Sequence, residues 1–323
     1  MPVRWGIMST ALINRLFLAG VRDSAEVEVL AVASRTRDAA ERFAREHGIE
    51  RALVSYEALL ADPDVEVVYI PLPNSMHIDW SVRALEAGKH VLCEKPLSRR
   101  TSEVARAFDV AEREGRLLME AFMYRHHPQT ERLVQMVQEG AVGRMQMIRA
   151  AFSFRARGRS DIRLAAGLDG GALMDVGCYC VSGARLIAGK PERVAAEQTI
   201  GGDGVDVAFT ATMRFSGGVL AHFDAGLTLP PERDELEVIG DEGALFLDDP
   251  WHCRRPLIEL RRDDGTERIE VRGADPYRLE AENMSAAIRG DAPPLLGRED
   301  AVGQARVIEA LYRSADSGEM VSL

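Results

Sequence analysis

At 323 residues the chain exceeds the size at which a single hydrophobic core usually keeps growing, so two domains of ordinary size are expected. A composition of 46% apolar and 28% charged residues is that of a globular protein and argues against disordered or collagen-like classes. With 40 Lys and Arg against 51 Asp and Glu, the formal charge of -11 makes nucleic acid and anionic membranes poor partners.

In chain order, the first 122 residues alternate between strand-like and helix-like patterns. Val3 to Met8 reads as a buried strand, Ala11 to Val21 as a helix and Val27 to Ser34 as a second strand; Arg37 to His47 has helical periodicity and Ser55 suits an N-cap. An apolar run from Val65 to Pro71, a helix from Met76 to Ala87, a strand at His90 to Cys93, a helix from Ser102 to Glu114 and a strand at Leu117 to Phe122 complete the series. Repeated βαβ units predict a doubly wound parallel sheet, with its ligand crevice at the carboxyl ends of the strands.

After about Met123 the rhythm changes. A helix near Gln129 to Glu139 and a strand at Met145 to Arg155 precede an irregular stretch up to Gly171 and a helix from about Met174 to Ala188. Strands follow at Arg193 to Ile200, Val205 to Phe215, Val219 to Leu227, Glu235 to Ile239 and Ala244 to Leu247, joined by turns such as Ser216 to Gly218. Two helices, Pro276 to Arg289 and Asp300 to Ser317, close the chain. The expectation is α/β, with a Rossmann domain over residues 1–122 and an α+β substrate-binding and oligomerisation domain over 123–323 on an open, mostly antiparallel sheet. The exposed face of such a sheet suggests a homodimer or homotetramer.

The start lacks the charged leader and cleavage site of a signal peptide, and no apolar run approaches the roughly 18 residues of a spanning helix. The four cysteines, Cys93, Cys178, Cys180 and Cys253, are too few and too irregular for a disulfide framework or a zinc site, so a cytoplasmic location and no metal are expected.

The turn after the first strand places Ser9, Ala11 and Asn14 where a dinucleotide fingerprint has three glycines. By glycine count the match fails, but strand, small-residue turn and helix stand in the right order, with Thr10 and Ile13 completing the approach to a pyrophosphate. An acid about 20 residues further on would bind a ribose 2'-hydroxyl; here the second strand ends in Ser34, Arg35, Thr36 and Arg37, with no acid before Asp38. Ser34, Arg35 and Arg37 suit a 2'-phosphate, so NADP(H) is favoured over NAD(H). Two solvated arginines at a helix start are the alternative.

Glu94, Lys95 and Pro96 follow a strand directly, placing Lys95 where it can donate to a substrate oxygen during hydride transfer. Asp175 and Tyr179, spaced i, i+4, share one helical face. Together the first turn, the run Val91 to Pro96 and the run Gly170 to Tyr179 resemble the glucose-fructose oxidoreductase / inositol dehydrogenase (Gfo/Idh/MocA) family over essentially the whole chain. Pro73 to His77 and Glu120 to Met123 add support. The resemblance implies a Rossmann domain binding a nicotinamide cofactor along Leu72, Asn74, His77, Glu94 and Lys95, and a sheet domain presenting the substrate. It makes Lys95 the catalytic lysine, Asp175 the aspartate of the second motif, and Tyr179 the residue standing where many members have histidine. Tyr179 near Lys95 would transfer the proton that accompanies hydride transfer; otherwise it is a buried tyrosine with a hydrogen-bond partner. Tyrosine here is similar to the branch of glucose-fructose oxidoreductase, dimeric dihydrodiol dehydrogenases and NADP-linked aldose dehydrogenases.

Arg125 and Arg163 are the expected substrate contacts, because hydroxyl-rich ligands need several donors and acceptors. His126 and His127 point to different faces, which favours structural or solvated roles over a metal site. The expected function is an NADP-dependent oxidoreductase on a sugar or polyol-like alcohol/carbonyl pair. Alternatives are an NAD-dependent glycoside hydrolase of the same fold and a non-catalytic cofactor-sensing regulator.

Overall fold

The computed structural model of the chain describes residues 1–156, 158 and 161–323; the irregular stretch expected after Arg155 thus includes three positions outside the described residues. Two compact units emerge. The first comprises Met1–Ser98, Ser102–Met123 and Asp275–Val302, and the second Arg99–Thr101, Tyr124–Ala274 and Gly303–Leu323.

In chain order the elements are β1 (Val3–Met8), α1 (Ile13–Val21), β2 (Val27–Ala33), α2 (Arg37–His47), β3 (Arg51–Leu53), α3 (Tyr56–Ala61), β4 (Val67–Ile70), α4 (His77–Glu86), β5 (His90–Glu94), α5 (Thr101–Glu114) and β6 (Leu118–Ala121). They continue as α6 (Pro128–Gln138), β7 (Met145–Arg155), α7 (Cys178–Ala188), β8 (Pro191–Ile200), β9 (Asp206–Phe215), β10 (Leu220–Gly226), β11 (Thr228–Gly240) and β12 (Ala244–Leu247). The last are β13 (Leu257–Arg262), β14 (Gly265–Glu270), α8 (Pro276–Arg289), α9 (Arg298–Ser317) and β15 (Val321–Ser322).

In the first unit the six strands lie in the order β3-β2-β1-β4-β5-β6, every pair parallel. This is the doubly wound arrangement, and its order reverses between β1 and β4, where such folds open a ligand crevice. The apolar runs of β1 and β4 are central and almost wholly buried, as strands covered on both faces must be. Helix starts follow their sequence signals: Thr36 caps α2 through the Ala39 amide, Ser55 caps α3 through the Ala58 amide, and Gly48 ends α2 in the left-handed region at φ 69°.

The chain returns to this unit after the second sheet is built. Helix α8, assigned to the later domain on sequence, packs against α1, with the Trp5 indole donating to Ser285 Oγ at 3.2 Å. Gly20 on α1 permits the approach, because a Cβ there would collide with Asp275 Oδ1, the cap of α8. A single division near Phe122 therefore does not describe the path of the chain. Nothing local to residues 276–289 encodes which sheet the helix joins; only matched surfaces do.

In the second unit nine strands lie in the order β14-β13-β12-β11-β7-β10-β9-β8-β15 among the described residues. All neighbours are antiparallel except β7 and β10, which run parallel, so the sheet is mixed. The short strands β3, β13, β14 and β15 are absent from the sequence reading. The patterns of β3, β14 and β15 are short or polar and carry little burial signal, whereas β13 alternates, with Ile258 and Leu260 buried. The helix expected from Met174 opens as a π-type turn over Leu173–Gly177 before α7 proper. No helix among the described residues is long and apolar enough to cross a membrane.

Candidate functional site

In the first unit, polar side chains lace the carboxyl edge of the parallel sheet. Ser9 ends β1 with φ 69°, a left-handed conformation that costs a residue with a Cβ and that the first fingerprint glycine would adopt freely. Its hydroxyl donates to Pro71 O (3.3 Å) beyond β4 and accepts from the Ala11 amide (3.3 Å), while buried Asn14 donates to Ser9 O at 2.9 Å. Side chains thus hold the turn that glycines would otherwise permit. Leu12 precedes α1 without offering a side-chain cap, the Asn14 and Arg15 amides donate to Ala11 O and Leu12 O at 3.1 Å each, and buried Asn14 Oδ1 has no hydrogen-bond partner among the described residues. Thr10, Ala11 and Ile13 are half-buried along this turn.

At the end of β2, Ser34 is buried and its amide donates to Leu53 O at 3.1 Å, whereas Arg35 is exposed and makes no ion pair among the described residues. Arg37, on the first turn of α2, reaches only Glu41 at 3.5 Å. These residues fit a phosphate-bearing ribose: there is a guanidinium without a competing carboxylate, and no acid at the strand end.

His77, expected along the cofactor, lies between two backbone carbonyls. Its Nδ1 lies 2.9 Å from Pro96 O and its Nε2 2.8 Å from Leu72 O, so both ring nitrogens are occupied by backbone carbonyls. Burial pushes the imidazole below its usual range, with the two carbonyls opposing. The ring braces the turn after β4 to the turn after β5, and Asn74 opens a half-buried 3-10 turn just before it.

Lys95 is half-buried at the carboxyl end of β5, and the Lys95–Pro96 peptide is cis. Glu94 accepts from Tyr69 Oη at 2.6 Å and from the Lys95 amide at 3.3 Å, and the Leu97 amide donates to buried Glu120 at 2.8 Å. Burial, then Glu94, raise the Tyr69 hydroxyl well above its usual range, keeping it a donor.

Beside this frame sits a group that sequence reasoning missed. Glu280 on α8 is 1% exposed, neither of its carboxyl oxygens has a hydrogen-bond partner, and burial, then Glu94, hold it protonated well above the ordinary carboxylate range. An acid with a raised folded-state value favours the fold at low pH and loses that contribution as pH rises. Glu280→Met should therefore stabilise the protein by about 1–2 kcal/mol at pH 7, with the gain larger at pH 8 than at pH 5 by urea denaturation. A destabilised variant would mean that the carboxyl has partners in solution.

In the second unit, Arg163 Nε lies 3.0 Å from Asp175 Oδ2 and its Nη1 3.1 Å from Asp161, which caps the turn over Ile162–Leu164. Two of the expected residues are thus joined as an ion pair. Tyr179, 7% exposed, stands in an aromatic cluster with Tyr124 (5.8 Å between ring centroids), Phe152 (5.4 Å) and Trp251 (6.0 Å). Tyr124 Oη donates to Ser182 Oγ at 2.8 Å, and Arg125 approaches the same oxygen at 3.5 Å. His127 is the N-cap of α6, accepting from the Gln129 amide, and burial, then Arg125, push His126 down to about 3. Neither histidine is placed for a metal with the other. All four cysteines are free and buried.

Asp206 fixes the start of the segment that carries Asp175 and Tyr179. It is 3% exposed and accepts from the Leu173 amide at 2.7 Å and from Tyr312 Oη at 3.0 Å, under a glycine, Gly171 at φ 128°, whose Cβ would collide with it. The sequence signal is faint, since Asp206 lies where β8 and β9 slip register and no alternation marks it.

A doubly wound nucleotide-type sheet with a lysine at its carboxyl edge, and a second unit in which the π-type turn and α7 beside a mixed sheet carry Asp175 and Tyr179, define a two-unit dehydrogenase architecture. The chain matches the oxidoreductase family GFO/IDH/MocA with NAD-binding Rossmann fold over residues 3–122 and the C-terminal domain of the same family over 130–246. It is 39% identical to D-xylose 1-dehydrogenase (NADP(+)) 2 of Haloferax volcanii over 99% of both chains. It is 34% identical to the human trans-1,2-dihydrobenzene-1,2-diol dehydrogenase over 80% of this chain and 78% of that one. The crystal structure of KijD10, a 3-ketoreductase from Actinomadura kijaniata with NADP and TDP-benzene, superposes with a TM-score of 0.92 at 33% identity, covering 97% of this chain and 98% of that one. The protein belongs to the GFO/IDH/MocA family and is an NAD(P)-dependent dehydrogenase or reductase.

Proposed function

We propose that the chain transfers a hydride between NADP(H) and a sugar or polyol-like alcohol/carbonyl pair. The observation that carries this reading is Lys95, half-buried at the carboxyl end of β5 beside a turn held by the Tyr69–Glu94, His77–Pro96 and Leu97–Glu120 contacts. The relatives act, by name, on xylose, on a dTDP-linked keto sugar and on a dihydrodiol, all of them alcohol or carbonyl substrates.

Bound nicotinamide supplies the hydride acceptor or donor. The turn over Ser9 to Ala11 and the first turn of α1 suit the pyrophosphate, and Ser34 with Arg35 the 2'-phosphate. Lys95 donates to the substrate oxygen, lowering the cost of negative charge that develops there, and Tyr179 carries the proton. Asp175, fixed by Arg163, orients substrate hydroxyls, with Arg125 nearby on the same unit. A panel of aldoses, ketosugars and trans-dihydrodiols assayed by absorbance with NADP and NAD in parallel tests the reading. Turnover confined to glycoside hydrolysis without net NADPH formation would refute it.

Arg35→Ala should lower kcat/KM for NADP by roughly 10- to 100-fold while leaving NAD within about threefold, the loss of one charge-assisted phosphate contact. Equal losses with both cofactors would move the 2'-phosphate contact elsewhere.

A further inference from the structure

Beyond the residues above, the second unit holds a polar cluster on the sheet. Asp234 on β11 and Asp249 after β12 are 7% and 2% exposed, and Asp234 shares its strand face with buried Leu236 and Val238. Carboxylates in such a place need compensation. Asp234 Oδ1 accepts from the Trp251 amide at 3.2 Å, and Oδ2 lies 2.5 Å from His252 Nδ1; Asp249 Oδ2 accepts from the Arg255 amide at 2.8 Å.

That contact sets the chemistry of the imidazole. With Nδ1–H donating to a buried carboxylate, neutral His252 carries its lone pair on Nε2. Nε2 makes no hydrogen bond among the described residues, and the side chain is 32% exposed. The ring packs edge-on against Phe152 at 5.4 Å, and Phe152 packs edge-on against Tyr179, also at 5.4 Å. The adjacent Trp251 touches Tyr179 as well. An oriented imidazole with one unused nitrogen thus stands one ring away from the tyrosine assigned to proton transfer.

We propose that His252 contacts the substrate directly, its Nε2 hydrogen-bonding one hydroxyl of the sugar or polyol, with Asp234 as its positioning residue. The inference rests on the function proposed above and names a residue that selects among its hydroxyl-bearing substrates. A cation site is the competing use of the same residues, since ligand atoms of Asp234, Asp249 and His252 lie within 4.8 Å of one another. Arg254 argues against it: its Nε is 3.6 Å from Asp249 Oδ1 and its Nη2 3.9 Å from Asp234 Oδ2, so a guanidinium already supplies the positive charge.

The test compares wild type and His252→Phe, with NADP, on a substrate turned over in the panel and on its monodeoxy analogues. His252→Phe should raise KM about tenfold or more with kcat within about threefold, the size expected for one lost hydrogen bond and its unpaired hydroxyl. The analogue lacking the contacted hydroxyl should be equally poor with both enzymes. His252→Gln, which keeps a hydrogen-bonding atom at the ε position, should recover most of the loss, and Asp234→Asn should raise KM without lowering NADP affinity. Wild-type turnover with unchanged KM in His252→Phe for every analogue overturns the inference alone, while no turnover of any panel member by wild type overturns it together with the proposed function. Stoichiometric Zn2+ binding by wild type that is lost in Asp249→Asn would reassign the cluster as a metal site.

Discussion

Replacing Lys95 by methionine is expected to lower kcat by about 10³-fold or more while leaving the dissociation constant for NADP within about threefold, because the ammonium is assigned to charge that develops only in the transition state. Methionine keeps an unbranched stem of similar length, so packing around the aliphatic part of the side chain survives. The turn around it is also held by other side chains: Tyr69 donates to Glu94, His77 lies against Pro96 O, and the Leu97 amide donates to Glu120. A loss confined to kcat, with fluorescence titration reporting unchanged cofactor affinity, is therefore the signature of a chemical role. Turnover near the wild-type rate would remove Lys95 from the mechanism, and a large loss of NADP affinity would make it a binding residue.

Asp206→Asn should change the pH dependence of stability markedly. Burial pushes this carboxyl up to about 6, against the hydrogen bonds from Leu173 and Tyr312 and the nearby Arg99. A raised acid holds its proton in the folded state, so its favourable contribution is complete below about pH 4 and is lost as pH rises through about 6. Two pH units correspond to about 3 kcal/mol. The stability of Asp206→Asn relative to wild type should thus rise by about that amount between pH 4 and pH 7.5, measured by urea denaturation of both proteins side by side. Asparagine can still accept from the Leu173 amide, whereas Asp206→Ala leaves that amide and the Tyr312 hydroxyl unpaired at about 1–3 kcal/mol each. A constant difference across the pH range would mean that Asp206 is ionised throughout.

Several features of the site were readable along the chain because they depend on near neighbours. The cap at Ser55, the small-residue turn at Ser9 and the strand-end placement of Lys95 follow from local patterns of polarity and shape. Asp175 and Arg163 were each named separately, but their pairing at 3.0 Å depends on how the intervening segment folds back. The position of His77 beside Asn74 likewise says nothing of the two carbonyls that enclose its ring. Asp234 stands in phase with Leu236 and Val238 on β11, but the apolar alternation in the sequence begins only at Glu235, well inside a strand whose exposed first half starts at Thr228.

The sequence alone therefore determined the parallel βαβ series, the strand-rich second half, the family and the cofactor-type turn, since periodicity, capping and spacing act over a few residues. Only the tertiary structure decided that α8 returns to the first sheet, that Glu280 is buried without a partner, that Asp206 anchors the segment leading to Tyr179, and that His252 is oriented by Asp234. Each of these is a contact between residues far apart in the chain. Its energy comes from excluding water around a group whose own neighbours give no sign of it.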